Sequence, residues 1–156
     1  MIFEIDRLKK VMDEARNDPA LQPIKNKDKS VTTFCNLGAF RISQDLGFNH
    51  FWNEGKDRIM LANEAIKYMD ESPHQFSKFY SPMVAYNLAN AGYLIYAAQH
   101  GDIHGHLCAI YPIQELVTSG KLGCQVPMVN NIGKENKVFG LNWAFSEMPD
   151  FYLCIS

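Results

Sequence analysis

The spacing of the apolar residues changes once along this chain, near Gly92, and that change constrains the fold more than any composition figure does. Before it, apolar residues recur at helical spacing: Ile5, Leu8, Met12 and Ala15; then Cys35, Ala39, Ile42 and Leu46; then Ile59, Ala62, Ile66 and Met69. A further short helix is opened by Ser81-Pro82, a cap followed by proline at the first helical position, and runs to Gly92. After it come short apolar runs at Tyr93 to Ala98, Gly105 to Tyr111, Gln125 to Gly133, Val138 to Phe145 and Phe151 to Ile155, each bounded by turn residues. Helices first and strands afterwards predict an α+β domain in which N-terminal helices pack on a roughly five-stranded antiparallel sheet. With 156 residues and no internal repeat, residues 1–156 read as one domain.

Fifteen Lys and Arg against 17 Asp and Glu leave a net charge of −2, so there is no basic surplus to hold phosphate backbones, and nucleic acid is not an expected partner. The three lysines between Gln22 and Ser30 read as a solvated loop. The N-terminal residues lack a basic region followed by an apolar core, and no window approaches the length of a membrane span; neither a secretory signal nor a span is expected. Cys35, Cys108, Cys124 and Cys154 lie far apart with no CxxC pair, which argues against a zinc ribbon or a disulfide framework and for synthesis in a reducing compartment.

Cys35 opens its helix. If Thr33 is the N-cap, the sulfur lies among backbone N–H groups without intrahelical partners, where the positive helix end favours thiolate over thiol. Such a nucleophile needs a base, and imidazole suits the exchange near neutrality. Of five histidines, His106 begins an otherwise apolar strand. Period-2 alternation puts it on the face of Cys108 and Ile110, and that face is expected to lie against the helices. A third residue would orient the imidazole, and Asn130 and Asn131 interrupt the next strand; alternation sends them to opposite faces, so only one can reach His106.

Five pieces carry a resemblance: Phe34-Cys35-Asn36, Leu61-Ala62-Asn63-Glu64, the run from His104 to Pro112, the run from Val126 to Gly133, and Trp143-Ala144-Phe145 as an aromatic strand. In this order they are similar to the papain-like cysteine amidohydrolases, and more narrowly to the NlpC-type and CHAP-type peptidoglycan hydrolases of phage lysins and interbacterial effectors. The likeness spans roughly residues 30 to 146 and leaves the N-terminal helix outside it. It implies a papain-like fold, Cys35 as nucleophile, His106 as base and, through the piece Asn-Ile-Gly, Asn131 as the orienting residue. Residues 113 to 123 must then form an excursion between the His106 strand and the Asn131 strand. The backbone N–H of Cys35 is a candidate oxyanion donor.

The expectation is a cysteine amidase or endopeptidase that cuts an amide bond in the peptidoglycan stem peptide through a thioester. It needs no cofactor, and Asn36, Asn63, His104 and Trp143 line its groove. It would be made in the cytoplasm and act at the cell wall after delivery, with peptidoglycan or a muropeptide as substrate and an immunity or inhibitor protein as a partner. Two rivals stand beside it. One is a zinc hydrolase with His104 and His106 as ligands, completed by Cys108 or Cys124 and with only Asp102 near as a carboxylate base. The other is a non-catalytic peptide-binding module on the same fold.

Overall fold

The computed structural model describes residues 1–156. In chain order the elements are α1 (Ile5–Asn17), β1 (Ile24–Lys25), β2 (Val31–Thr32), α2 (Cys35–Asp45), β3 (Trp52–Asn53), β4 (Arg58–Ile59), α3 (Ala62–Glu71), β5 (Phe76–Phe79), α4 (Pro82–Asn90), β6 (Ile95–Gln99), β7 (His106–Ile110), β8 (Leu116–Ser119), β9 (Cys124–Asn131), β10 (Lys137–Gly140), α5 (Leu141–Ala144) and β11 (Asp150–Cys154). The fold is α+β, and its large sheet is antiparallel throughout. No helix is long and apolar enough to cross a membrane.

The expected helices form close to their expected limits, except that α3 starts at Ala62 and Ile59, expected on its apolar stripe, belongs to β4. α4 starts as read, with Ser81 Oγ accepting from Val84 N at 3.2 Å and Pro82 in the first turn. Gly47 follows α2 at φ +89°, a left-handed conformation that suits glycine. The start of α2 differs by one residue. Phe34 is its N-cap and makes no side-chain cap bond, so Cys35 is the first helical residue and Thr33 is freed from capping.

The sheet has seven strands where about five were expected. Its order is β10-β9-β7-β6-β11-β5, with β8 also paired to β9. Two strands were hidden from periodicity. β5 lies in the aromatic segment after Pro73 and pairs with β11 from Phe76–Cys154 to Phe79–Phe151. β8 occupies the excursion between β7 and β9 and folds back on the first half of β9, from Leu116–Pro127 to Ser119–Cys124. The expected strand from Val138 to Phe145 is half right. It is extended only through Gly140, and Trp143-Ala144 belongs to the helical turn α5.

Helices cover both faces of the sheet, not one. α1, α2 and α3 bury Leu8, Ala39, Ile42 and Ile66 with Tyr96, Leu107, Ala109 and Tyr152. α4 and α5 bury Ala85, Ala89 and Leu141 with Ile95, Ala97, Cys108, Ile110 and Phe151 on the opposite face. Burial on both faces explains why Ile95 to Ala98 and Leu107 to Ile110 read as unbroken apolar runs without alternation. It also corrects the expectation about β7. The face carrying Leu107 and Ala109 meets the Cys35 helix, whereas Cys108 and Ile110 face α4 and α5.

The strands β7 and β9 pair only at Ala109–Asn130 and Ile110–Val129, so toward His106 the two strands part. The first turn of α2 packs beside this divergence. Gly38 packs tightly on Ile132: a Cβ there would come within 3.2 Å of Ile132 Cβ and 3.3 Å of its Cγ2, so any larger residue would require Ile132 to shift. The start of a helix and the start of a strand are thereby brought to one end of the sheet.

Candidate active site

His106 and Asn131 meet at that end. Alternation from the Ala109–Asn130 pair turns Asn131 onto the face His106 shares with Cys108, and Asn131 Oδ1 lies 2.8 Å from His106 Nε2. Asn130 turns the other way, where its Nδ2 donates to Met12 O at 3.1 Å and its Oδ1 accepts from Arg16 Nη1 at 2.6 Å. Of the two candidate asparagines, Asn131 is therefore the one in contact with the ring.

The orientation of the Asn131 amide follows from its second partner. Glu135 O, 2.7 Å away, is a carbonyl and can only accept, so Nδ2 must face it and Oδ1 must face the imidazole. An amide oxygen can only accept in turn, so His106 carries its proton on Nε2. In the neutral ring the lone pair is then on Nδ1, the nitrogen free to act as a base. The ring of Phe145 lies 5.2 Å from that of His106, and a Cβ on Gly133 would come within 3.3 Å of its Cε1. The imidazole is held by a hydrogen bond at one end and close packing at its edge.

Cys35 comes from the other core. Cys35 is 7% exposed at the start of α2, and burial pushes its thiol pKa up, against the Leu107, Asn36 and Cys35 backbone N–H groups that pull it down. The expectation of a resting thiolate is corrected by this balance, because desolvation outweighs the helix-start N–H groups. Burial likewise pushes His106 below its ordinary value, opposed by the bond to Asn131. Both shifts favour the uncharged pair, thiol and neutral imidazole.

A trough in two parts runs over these residues. Cys35, Asn36, Asn63, Glu64, Leu61 and Ile103 border a hollow of about 520 Å³. His106, Asn131, Lys134, Glu135, Phe139 and Trp143 border a second of about 580 Å³. Val31, Thr33, His104 and Gly105 line both, so Cys35 and His106 open into adjoining halves of one groove.

All four expected groove residues border it, with different duties. Asn36 donates to Met60 O at 3.0 Å. Asn63 is committed at both ends of its amide to Gly101, donating to its O at 2.8 Å and accepting from its N at 3.1 Å, and so latches the 100–105 turn. His104 is exposed on the shared wall, and Trp143 is 75% exposed. Sequence reasoning missed Thr33, Leu61 and Ile103. The last, 82% exposed and apolar in a polar turn, was the readable signal among them. The donor set of the zinc reading does not converge: no three His, Cys, Asp or Glu side chains are grouped as metal ligands would be, and Cys108 is buried in the core under α4 and α5.

No protein-family model matches the chain, and no curated protein sequence matches it either.

Proposed function

We propose that this chain is a papain-like cysteine amidase or endopeptidase that hydrolyses an amide bond in the peptidoglycan stem peptide. The observation that carries the reading is the His106–Asn131 bond, since it leaves the basic nitrogen of the ring unpaired beside a groove that also holds a helix-start cysteine. Peptidoglycan as the substrate rests on the likeness of Phe34-Cys35-Asn36, His104 to Pro112 and Val126 to Gly133 to the NlpC-type and CHAP-type enzymes.

In the reaction, His106 Nδ1 takes the Cys35 proton as the sulfur bonds to the substrate carbonyl carbon. The carbonyl oxygen gains the negative charge, and the N–H groups at the start of α2, which have no intrahelical partner, donate hydrogen bonds to it. The C–N bond breaks as the imidazolium returns its proton to the departing amine, leaving a thioester on Cys35. Water, deprotonated by Nδ1, attacks the thioester; a carboxylate leaves and the thiol is restored. Asn131 keeps the proton on Nε2 throughout, so the same ring serves both halves of the cycle.

The test is digestion of purified sacculi followed by mass spectrometry of the soluble fragments. The expected result is fragments bearing one new amine and one new carboxylate, insensitive to chelator and absent with Cys35→Ala. Undiminished release by that variant defeats the proposal.

A further inference from the structure

The residue next to Asn131 in sequence and the residue that ends its turn are both tied to α1, the helix that the peptidoglycan-hydrolase resemblance leaves outside. On β9, Asn130 is 1% exposed and holds Arg16 Nη1 at 2.6 Å through its Oδ1 and Met12 O at 3.1 Å through its Nδ2. Arg16 is itself braced by Asp13 at 2.8 Å, and Asp13 accepts from Tyr111 Oη at 3.0 Å. After Asn131 the chain turns through Gly133 and Glu135 to Asn136. The Asn136 Nδ2 donates to Leu21 O at 2.9 Å and Arg16 O at 3.3 Å, beyond and within the last turn of α1, while its Oδ1 accepts from Gly133 N at 3.0 Å.

We propose that Asn136 and Arg16 are positioning residues, which clamp the end of β9 and the 132–136 turn to α1 and so hold the Asn131 amide against His106. The geometry accounts for each link. Asn136 shapes the turn that presents Glu135 O to Asn131 Nδ2 at 2.7 Å, and this bond decides which way the amide faces. Gly133, pinned by Asn136 Oδ1, is the residue packed at the edge of the imidazole. Arg16, through Asn130, sets the roll of the strand about its axis, and alternation converts that roll into the direction of the Asn131 side chain. Neither residue touches the groove, so each acts only through Asn131. The inference rests on the reading of His106 as the base.

The test combines kinetics with nitrogen-15 NMR of the imidazole. Asn136→Asp keeps the acceptor for Gly133 N and removes both donors to α1; Arg16→Met removes the cation from Asn130. Each is expected to lower kcat about tenfold at unchanged KM and to replace the single Nε2–H tautomer of neutral His106 by a mixture of both tautomers. Arg16→Lys, which returns a cation to Asn130 Oδ1, should recover most of the loss. Val11→Ala weakens α1 packing without touching the clamp; it should lower Tm and leave the tautomer intact. A folded Asn136→Asp and a folded Arg16→Met that both retain the wild-type tautomer overturn the proposal, as does an equal tautomer change in Val11→Ala. The NMR arm needs no substrate, so a wild-type protein that releases nothing from sacculi defeats the amidase reading while the clamp is still judged on its own.

Discussion

The molecule contains two cysteine–histidine pairs, and the comparison between them shows what makes such a pair a candidate site. Cys154 Sγ lies 3.8 Å from His50 Nδ1, close enough for a hydrogen bond, whereas the structure records no such bond between Cys35 and His106. On proximity alone the first pair would be the better choice. Its surroundings decide otherwise. His50 is 2% exposed, stacked on Phe48 at 5.0 Å and leaning on Phe76 at 4.7 Å, and its Nε2 is bonded to Ser156 O at 2.6 Å. Cys154 ends a strand and lacks a helix start, and burial pushes its thiol up to about 12. The Cys35 pair has instead a groove, backbone N–H groups of a helix start directed at the sulfur and an amide that fixes the tautomer of the ring.

The strongest way to break this comparison is to remove each sulfur in turn. Cys35→Ala is expected to abolish amide hydrolysis, a loss of at least about 10³-fold, because no other thiol borders the groove. Cys154→Ala should keep its activity and lose roughly 0.5–3 kcal/mol of stability, as a truncation in a packed core does. Fragment release from sacculi and thermal melts of both proteins check the pair. Equal activity of the two variants would place the chemistry elsewhere.

A thiol-reactive probe sharpens the same contrast without substrate. Burial holds the resting Cys35 as a thiol, so fast labelling requires His106 Nδ1 to take its proton. With that route open, Cys35 should be alkylated about tenfold faster at pH 7.5 than the half-exposed Cys124, while Cys108 and Cys154 stay unlabelled in the folded protein. The ordering is informative because Cys35 is the less exposed of the first two. Peptide mapping of label incorporation over time reads it, and a Cys35 rate at or below that of Cys124 would favour an inert thiol on a binding module.

Asn131→Ala should reduce kcat on the order of 10²-fold with KM unchanged, since the ring loses its orientation but the groove keeps its walls. The acid limb of the rate profile should also move to lower pH. The Asn131 bond is what raises His106 against the downward pull of burial, so its removal lets burial act alone. An acid limb unchanged in position would mean that Asn131 does not act on His106.

These contrasts also mark how far the sequence could be read. The helix of Cys35 and the strand of His106 were visible because each has a sharp local signature: a periodic helix ended by Gly47, and an apolar run opened by one imidazole. β8 and β5 were not visible, because Leu116 to Ser119 and Phe76 to Phe79 are four residues each and have no clear alternation; they are strands only because β9 and β11 offer paired edges. The face of His106 was misjudged for a related reason. Period-2 reasoning groups His106 with Cys108 correctly, but a strand buried on both sides gives no sign of which face meets which helix. Trp143 was read as part of a strand because aromatic residues favour strands, yet Gly140 ends the extension and the next four residues close a helical turn. The resting charge of Cys35 failed too, since burial depends on the completed core and the helix start can be read locally.

The smallest expected effect concerns the inert pair. Burial holds His50 below its ordinary pKa, against the bond to Ser156 O, which raises it. A histidine whose folded pKa lies below its unfolded one binds fewer protons in the native state. Its contribution to stability is therefore complete above the ordinary histidine value of about 6.5 and declines as pH falls through that value toward the folded pKa. His106 is shifted the same way and acts with the same sign. The wild-type Tm should thus fall between pH 7.5 and pH 5, and His50→Phe, which fills the same aromatic cluster without a titrating group, should fall less over that interval whatever its absolute Tm. The slope is the decisive quantity, because the substitution also deletes the bond to Ser156 O and moves both melts together. Identical slopes would mean that His50 is not held neutral by its aromatic surroundings, and the distinction between a buried, inert pair and an accessible, oriented one would then rest on Cys35 and His106 alone.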